Sequence, residues 1–446
     1  MTFRLGDDVR HTFDRGGIHS ESGTYHGEDW VQDENGLVIA DAKDPGKAVP
    51  DKVTTTVRRV STPVDAYVVS ELNVRSAGTR RYYDPATFRL LRIEDVGPEG
   101  TKTTIFDDVE RFGERNLASH WRVASGDTET RYERRSYVAG AATEDDVRQP
   151  ATRKLLVEFP PGVNRADLPI QIKENNVFVR VKIGDRTADF LLDTGAGSIV
   201  LDSNFARDLG LQLTNAHDET VARHYTGYQA IVPEMHIGTL TMRQIVVDVV
   251  SSLPAGYADS TIRPVGLLGF DFLAQLGVTI DYEKSKVSVV PAGSFQSPSD
   301  PGTYVFNVRL GGGQPMLTAK VGTAVAERIL LDTGGTLPLW FFDYFARRNP
   351  QAFPARAKKD EAIGEGVGGS FHEDVYQLPE VQLGPVHFQD FLAYVVPPSS
   401  AYSGDTDGVI GNTLLSKFIV TLDYTDGTVF LVPTRETKRK MTTLTH

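Results

Sequence analysis

The sequence predicts an all-β protein in three parts, an N-terminal antiparallel β-sheet domain followed by two versions of one mainly β lobe. Three observations carry that expectation. Short β-like runs broken by turn signals fill the first part of the chain. A long segment recurs in the remainder, and an apolar strand running into Asp-Thr-Gly occurs once in each copy.

Residues 1–160 read as a meander, with Asn35-Gly36 turning after Trp30-Val31 and Gly97-Pro98-Glu99-Gly100 lying between two alternating segments. Pro160-Pro161-Gly162 marks a boundary, and the Ser-, Pro- and Gly-rich stretch from Pro291 to Pro301 marks a second. The expected parts are therefore 1–160, 170–295 and 302–435. In the last two, Gly266-Leu267-Leu268-Gly269 recurs as Gly408-Val409-Ile410-Gly411, and Val278-Thr279-Ile280-Asp281-Tyr282 as Val420-Thr421-Leu422-Asp423-Tyr424. Both recur at the same offset (411 − 269 = 142; 423 − 281 = 142), and Pro291 and Pro433 close the copies at that offset too. Each copy orders paired strands, the Asp-Thr-Gly turn, a short helix near Asn204 to Leu209 or Phe341 to Arg347, a hairpin, the apolar-Gly element and a last strand.

Composition excludes several functions. The formal net charge of −12 and the lack of a long basic run leave no electrostatic footprint for nucleic acid or an anionic membrane. With no cysteine, disulfides, thiol nucleophiles and Cys-based metal sites are excluded. No apolar run approaches the roughly 18 to 20 residues that span a bilayer. Met1 to Arg10 carries no apolar signal core, so the chain reads as either cytoplasmic or a mature form whose signal was removed.

Leu191-Leu192-Asp193-Thr194-Gly195 and Leu330-Leu331-Asp332-Thr333-Gly334 carry the chemistry. A peptide bond resists hydrolysis because water is a poor nucleophile and an amine a poor leaving group. Two facing carboxylates that share one proton address both problems, since the ionised one deprotonates water while the protonated one polarises the carbonyl. Asp193 and Asp332 are accordingly the expected catalytic pair. Gly195 and Gly334 are expected to give the tight backbone that brings them together. Thr194 and Thr333 are expected to hydrogen-bond across the lobe interface.

Both copies resemble the retropepsin-like aspartic protease lobe, over about residues 170 to 435. The Asp-Thr-Gly loops and the elements Leu267-Leu268-Gly269 and Val409-Ile410-Gly411 carry the resemblance. It implies a single chain with two β-barrel lobes about a pseudo-two-fold axis, as in pepsin-like members, and an aspartic endopeptidase acting on peptide or protein substrates. No metal or organic cofactor is implied, and one chain suffices for the dyad. Pepsin-like members carry Ser or Thr after Asp-Thr-Gly, whereas this chain has Ala196 and Gly335. Loss of that hydroxyl donor favours the protonated form, so the expected pH optimum is weakly acidic to near neutral.

By position, His224-Tyr225-Thr226-Gly227-Tyr228 and Gly364 to Gly369 are the expected flaps. Tyr225, Gly227, Tyr228, Gly366 and Gly368 are their substrate-contacting residues, although two ordinary surface turns fit the same sequence. The scattered His217, His224, His236, His372 and His387 do not form a metal-ligand pattern. Trp340, Phe341 and Phe342 read as core packing, with the lining of a substrate pocket as the alternative, and Asp281 and Asp423 as strand ends. The segments from Tyr82 to Arg92 and from Thr103 to Asp108 resemble the lipoprotein-carrier-like β region that precedes some bacterial retropepsin-like domains. Together with the protease resemblance, this implies a periplasmic or secreted bacterial protein. Two rival readings remain at the level of sequence: a non-catalytic peptide- or lipid-binding envelope protein on the same scaffold, and a chain whose lobes pair between two molecules.

Overall fold

A computed structural model describes the chain except for residues 41–52, 73–77, 98–99, 113–114, 126–127, 135, 154–155, 221–223, 252, 254–261, 312, 367–368, 397–405 and 444–446. Pro98 and Glu99 of the expected turn thus lie outside the described residues. The fold is all-β with a few short helices. Contacts divide the chain into two units: Met1–Lys43 with Asp145–Ser400 and Thr406–His446, and a second that spans Asp44–Glu144.

Each copy of the repeat is a closed six-stranded barrel. In the first, Asn176–Ile183, Arg186–Leu192, Gly266–Leu268, Val200–Asp202, Leu240–Val250 and His224–Ile237 pair in that order, and Val181 opposite Ile237 closes the ring. In the second, Gln314–Val321, Ala324–Leu331, Gly408–Ile410, Leu339–Phe342, Val386–Val396 and Gly369–Leu383 do the same, closed by Val321 opposite Val381. Closure leaves these strands without free edges, and their alternating apolar residues fill the interior. Leu192, Ile199, Leu201, Leu331, Ile329 and Phe341 are fully buried there. Burying each such side chain contributes roughly 1.5 to 3 kcal/mol.

A third sheet joins the copies in the order Ala166–Asp167, Lys286–Pro291, Leu276–Asp281, Phe418–Asp423, Thr428–Pro433 and Tyr304–Asn307. At its centre Thr279 lies opposite Thr421, with their hydroxyls 3.1 Å apart, while Gly277 faces Asp423 and Asp281 faces Ile419. Residues related by the 142-residue offset therefore sit across one local two-fold axis. Asp281 and Asp423 end their strands by accepting turn amides, from Lys284 and Thr425.

The helices follow their caps. Asp202 accepts from the amides of Asn204 and Phe205, starting Ser203–Asp208. The second helix is Asp343–Arg348 and begins later than the sequence suggests, because Phe341 and Phe342 are drawn into the Leu339–Phe342 strand.

The region 1–160 contains two separate meanders. Thr2–Leu5, Asp8–Arg15, Ile18–Tyr25, Glu28–Gln32 and Val38–Ala40 form a five-stranded sheet within the barrel-containing unit. The Asn35 side chain donates to the Val246 carbonyl at 2.9 Å and accepts from the Val246 amide at 2.8 Å, as a neighbouring strand would. Leu37 enters the barrel core. Residues from Asp145 onward also belong to that unit, so the contacts do not divide at the Pro160-Pro161-Gly162 stretch. The second unit holds a seven-stranded antiparallel sheet, Thr54–Val60 through Thr128–Glu133, with the strands in chain order. Its small buried cluster of Ala66, Val68 and Tyr82 is joined by Glu94, which accepts from the Tyr82 hydroxyl at 2.8 Å and from Arg92 Nε at 2.9 Å.

The glycines of the repeated apolar-Gly element are there for space. A Cβ on Gly266 would lie 2.5 Å from the Val200 carbonyl oxygen and 2.4 Å from the Phe190 ring, inside any tolerable contact. Gly266→Ala is expected to cost about 1 to 3 kcal/mol, read as a lower denaturant midpoint with an unchanged slope. An unaltered midpoint would show that the strand crossing there is looser than described.

Candidate active site

Each expected aspartate ends a buried strand. Arg186–Leu192 pairs in parallel with Gly266–Leu268, and the Asp193 amide continues the ladder to the Leu268 carbonyl at 3.0 Å. Ala324–Leu331 pairs likewise with Gly408–Ile410, and the Asp332 amide donates to Ile410 at 2.9 Å. The two apolar-apolar-Gly elements thus lie directly beside the two Asp-Thr-Gly loops.

The loops cross in a reciprocal lock. Thr194 Oγ1 donates to the Leu331 carbonyl at 2.6 Å and accepts from the Thr333 amide at 3.0 Å. Thr333 Oγ1 donates to the Leu192 carbonyl at 2.7 Å and accepts from the Thr194 amide at 3.1 Å. All six polar groups of these four bonds are buried and paired. Each such bond contributes about 1 kcal/mol net, and leaving a partner unsatisfied would cost more.

The lock sets the carboxyl groups against each other. A Cβ on Gly195 would lie 2.7 Å from Asp332 Cγ, and one on Gly334 would lie 2.5 Å from Asp193 Cγ. Neither glycine has a positive φ. The sequence suggested conformational freedom as the reason for these glycines; the structure gives a different one, that any side chain would occupy the opposite carboxylate. Asp193 Oδ1 accepts from the Gly195 amide at 2.8 Å and the Ala196 amide at 3.1 Å, and Asp332 Oδ1 from the Gly334 amide at 2.7 Å. Burial, and then the Asp332 charge across the gap, pushes the Asp193 carboxyl well above its ordinary range. Two carboxyl groups this strongly coupled titrate as a unit and not singly.

Sequence reasoning missed what lies around the pair. Trp340, read as core, has its ring edge against Gly335, where a Cβ would sit 2.6 Å from Trp340 Cη2 and 3.1 Å from Asp332 Oδ2. The ring therefore fills the place of a residue-335 side chain. Gln314 Nε2 donates to the Gly195 carbonyl, tying the second lobe to the first loop. Asn412, one residue beyond the recognised Val409-Ile410-Gly411, donates to the Thr333 carbonyl. Tyr282 and Tyr424 of the repeated Asp-Tyr element are buried, and the aspartate charges contribute to holding both phenols neutral after burial itself. The only signal for these two was the repeat.

Both expected flaps are hairpins. Thr214–Thr220 pairs with His224–Ile237, placing Tyr225 opposite Glu219 and the buried Gly227 opposite His217 and Val250, while Tyr228 packs on the barrel core. Lys358–Gly366 pairs with Gly369–Leu383, with Gly366 opposite Gly369. The hairpin tips at 221–223 and 367–368, including Gly368, lie outside the described residues. Among the described residues, no group of three or more His, Asp or Glu side chains is placed to hold a metal ion.

The raised Asp193 carboxyl ties stability to pH. Its folded form holds the proton more tightly than the unfolded chain, so its contribution is complete below the unfolded value near about 4 and is lost as pH rises through the folded value. Asp193→Asn keeps the acceptor for the Gly195 and Ala196 amides while removing the charge. Its unfolding free energy relative to the unmodified protein is expected to improve by on the order of 1 to 3 kcal/mol between pH 3 and pH 8. A difference that stays constant across that range would mean the two carboxyl groups do not share a proton.

A family described as "gag-polyprotein putative aspartyl protease" matches residues 179–275, from within the first strand of the first barrel to just beyond the Phe270–Leu273 helix. Among proteins with curated descriptions, none matches the chain. The matched segment contains the Asp193 loop, and the second barrel repeats its strand order. Residues 179–275 are thus similar to a retropepsin-like aspartyl protease domain.

Proposed function

We propose that the protein is an aspartic endopeptidase in which Asp193 and Asp332 together activate one water molecule. The observation that carries this reading is the mutual exclusion at the crossed loops, where each glycine leaves room only for the carboxyl group of the other lobe. The family similarity around Asp193 supports a protease-type function.

The chemistry follows from one shared proton. The ionised carboxylate takes a proton from water as its oxygen attacks the scissile carbonyl carbon, and the protonated carboxyl gives its proton to the carbonyl oxygen. The resulting gem-diol collapses when the carbon–nitrogen bond breaks. The carboxyl that took the water's proton delivers it to the nitrogen as that bond breaks, a gem-diol hydroxyl proton passes to the other carboxylate, and the products are a carboxylic acid and an amine with one proton left on the pair. Backbone amides of Gly195, Ala196 and Gly334 hold the carboxyl groups in place throughout. Because both lobes belong to one chain, a monomer suffices, and the two hairpins are assigned as flaps over the peptide. The resemblance of the segments from Tyr82 to Arg92 and from Thr103 to Asp108 to a lipoprotein-carrier-like β region supports a location in the bacterial envelope or outside the cell.

The test uses the full chain with a peptide library and a transition-state-mimicking inhibitor. Asp193→Asn and Asp332→Asn are each expected to lower kcat/KM by at least about a thousandfold, and mixing the two variants is expected to restore nothing. Substantial activity in either single variant would point to pairing of like lobes between molecules. Neither cleavage nor inhibitor binding by the unmodified protein would favour a binding role. Burial and the neighbouring charge keep a proton on the pair to higher pH, so the rate is expected to peak at weakly acidic to near-neutral pH. A maximum near about pH 2 would refute that part.

A further inference from the structure

The duplicated halves are chemically unequal beneath the carboxylates. Asn412 follows Gly411 and is fully buried, whereas the offset position (412 − 142 = 270) holds Phe270. Asn412 Nδ2 donates to the Thr333 carbonyl and, at 3.2 Å, to Asn176 Oδ1. A carbonyl only accepts, so the amide can face Thr333 in one orientation alone. Asn412 Oδ1 must then accept from the Tyr282 hydroxyl, at 2.7 Å.

The Thr333 carbonyl and the Gly334 N–H belong to one peptide group, and that N–H donates to Asp332 Oδ1 at 2.7 Å. A single directed chain therefore runs from the Tyr282 hydroxyl through the Asn412 amide and the Thr333–Gly334 peptide to the Asp332 carboxylate. Hydrogen bonds aligned in this way polarise one another, and a strengthened donor favours the charged form of its acceptor. The first lobe is built otherwise. Gln314, half-exposed, feeds the Gly195–Ala196 peptide, whose N–H reaches Asp193 Oδ1 at the longer 3.1 Å. The Phe270 ring brings no donor and lies 6.0 Å from that of Tyr424, whose buried hydroxyl has no hydrogen-bond partner among the described residues.

We propose that Asn412 is a positioning residue which, backed by Tyr282, lowers the proton affinity of the aspartate pair through Asp332. This rests on the peptidase reading only in naming the reaction served. Among the described residues, Asp193, Tyr282 and Tyr424 feel the Asp332 charge, and burial keeps both phenols neutral, so these three groups bring no cation to the pair.

The full chain labelled with ¹³C at the aspartate carboxyl carbons would be titrated by NMR, with Asp193→Asn and Asp332→Asn assigning the signals. Asn412→Leu, similar in volume, is expected to tighten the first proton on the pair about tenfold, and Tyr282→Phe to tighten it by a smaller factor in the same direction. Unchanged proton affinity in a folded Tyr282→Phe and Asn412→Leu pair would overturn the proposal. If the leucine variant does not fold, Tyr282→Phe decides alone, since it removes one oxygen, and an unshifted titration there counts against the proposal. The titration reads the pair whether or not the protein cleaves peptides, so absence of cleavage would sink the peptidase reading separately. Where cleavage is measurable, the alkaline limb of kcat/KM, which reports loss of that first proton, moves to higher pH in Asn412→Leu. A merely structural residue would lower kcat/KM equally at every pH.

Discussion

The crossing of the Asp193 and Asp332 loops constrains everything around it. Four buried hydrogen bonds between Thr194, Thr333 and the backbones of Leu192 and Leu331 fix the two strand ends at a separation that admits no side chain on Gly195 or Gly334. To hold those strand ends, each barrel lays its apolar-Gly strand in parallel beside the aspartate strand. To hold the barrels, the central sheet pairs the two Asp-Tyr strands about Thr279 and Thr421. Two like charges in a buried gap would drive the loops apart, and sharing one proton is the cheapest way for that geometry to persist.

The backbone symmetry is closer than the chemical symmetry. The two barrels share strand order and closure, yet Ala196 answers to Gly335, Phe270 to Asn412, and Val200 to Trp340 in the strand that crosses the apolar-Gly element. Unlike surroundings bias on which carboxyl a shared proton would rest, whereas identical environments would leave it equally placed on either side. Duplication supplies the frame, and the differing side chains supply the inequality.

The sequence made the frame legible and the inequality nearly invisible. The 142-residue offset, the two Asp-Thr-Gly turns and the strand-turn punctuation are local or periodic signals, and each reflects backbone geometry that must recur in both copies. The reason for Gly195 and Gly334 could not be read, since a glycine kept for the space of a partner about 140 residues away looks the same as one kept for its dihedral freedom. Asn412 lay one residue past a recognised element, and its importance depends on a carbonyl in another loop. Helix onset at Asp343 instead of Phe341 reflects tertiary demand for the Leu339–Phe342 strand over local propensity.

The N-terminal sheet shows the same limit at larger scale. Asn35-Gly36 is a plain turn signal, and Gly36 does adopt a positive φ of 81°. Nothing local says that the turn's asparagine fills both backbone bonding positions of Val246, or that Asp33 in that turn comes close enough to buried Asp271 for its charge to strengthen the Asp271 carboxyl's hold on a proton. Burial and Asp33 together push the Asp271 carboxyl up to about 8. Asp271 Oδ2 in turn accepts the Ile199 amide at 2.8 Å, in the stretch that links the Asp193 loop to its next strand. The five-stranded sheet is therefore coupled to the barrel through groups that also brace the stretch following the Asp193 loop. That coupling gives a physical reason for residues 1–43 to belong with the barrels, although more than a hundred residues of sequence separate them.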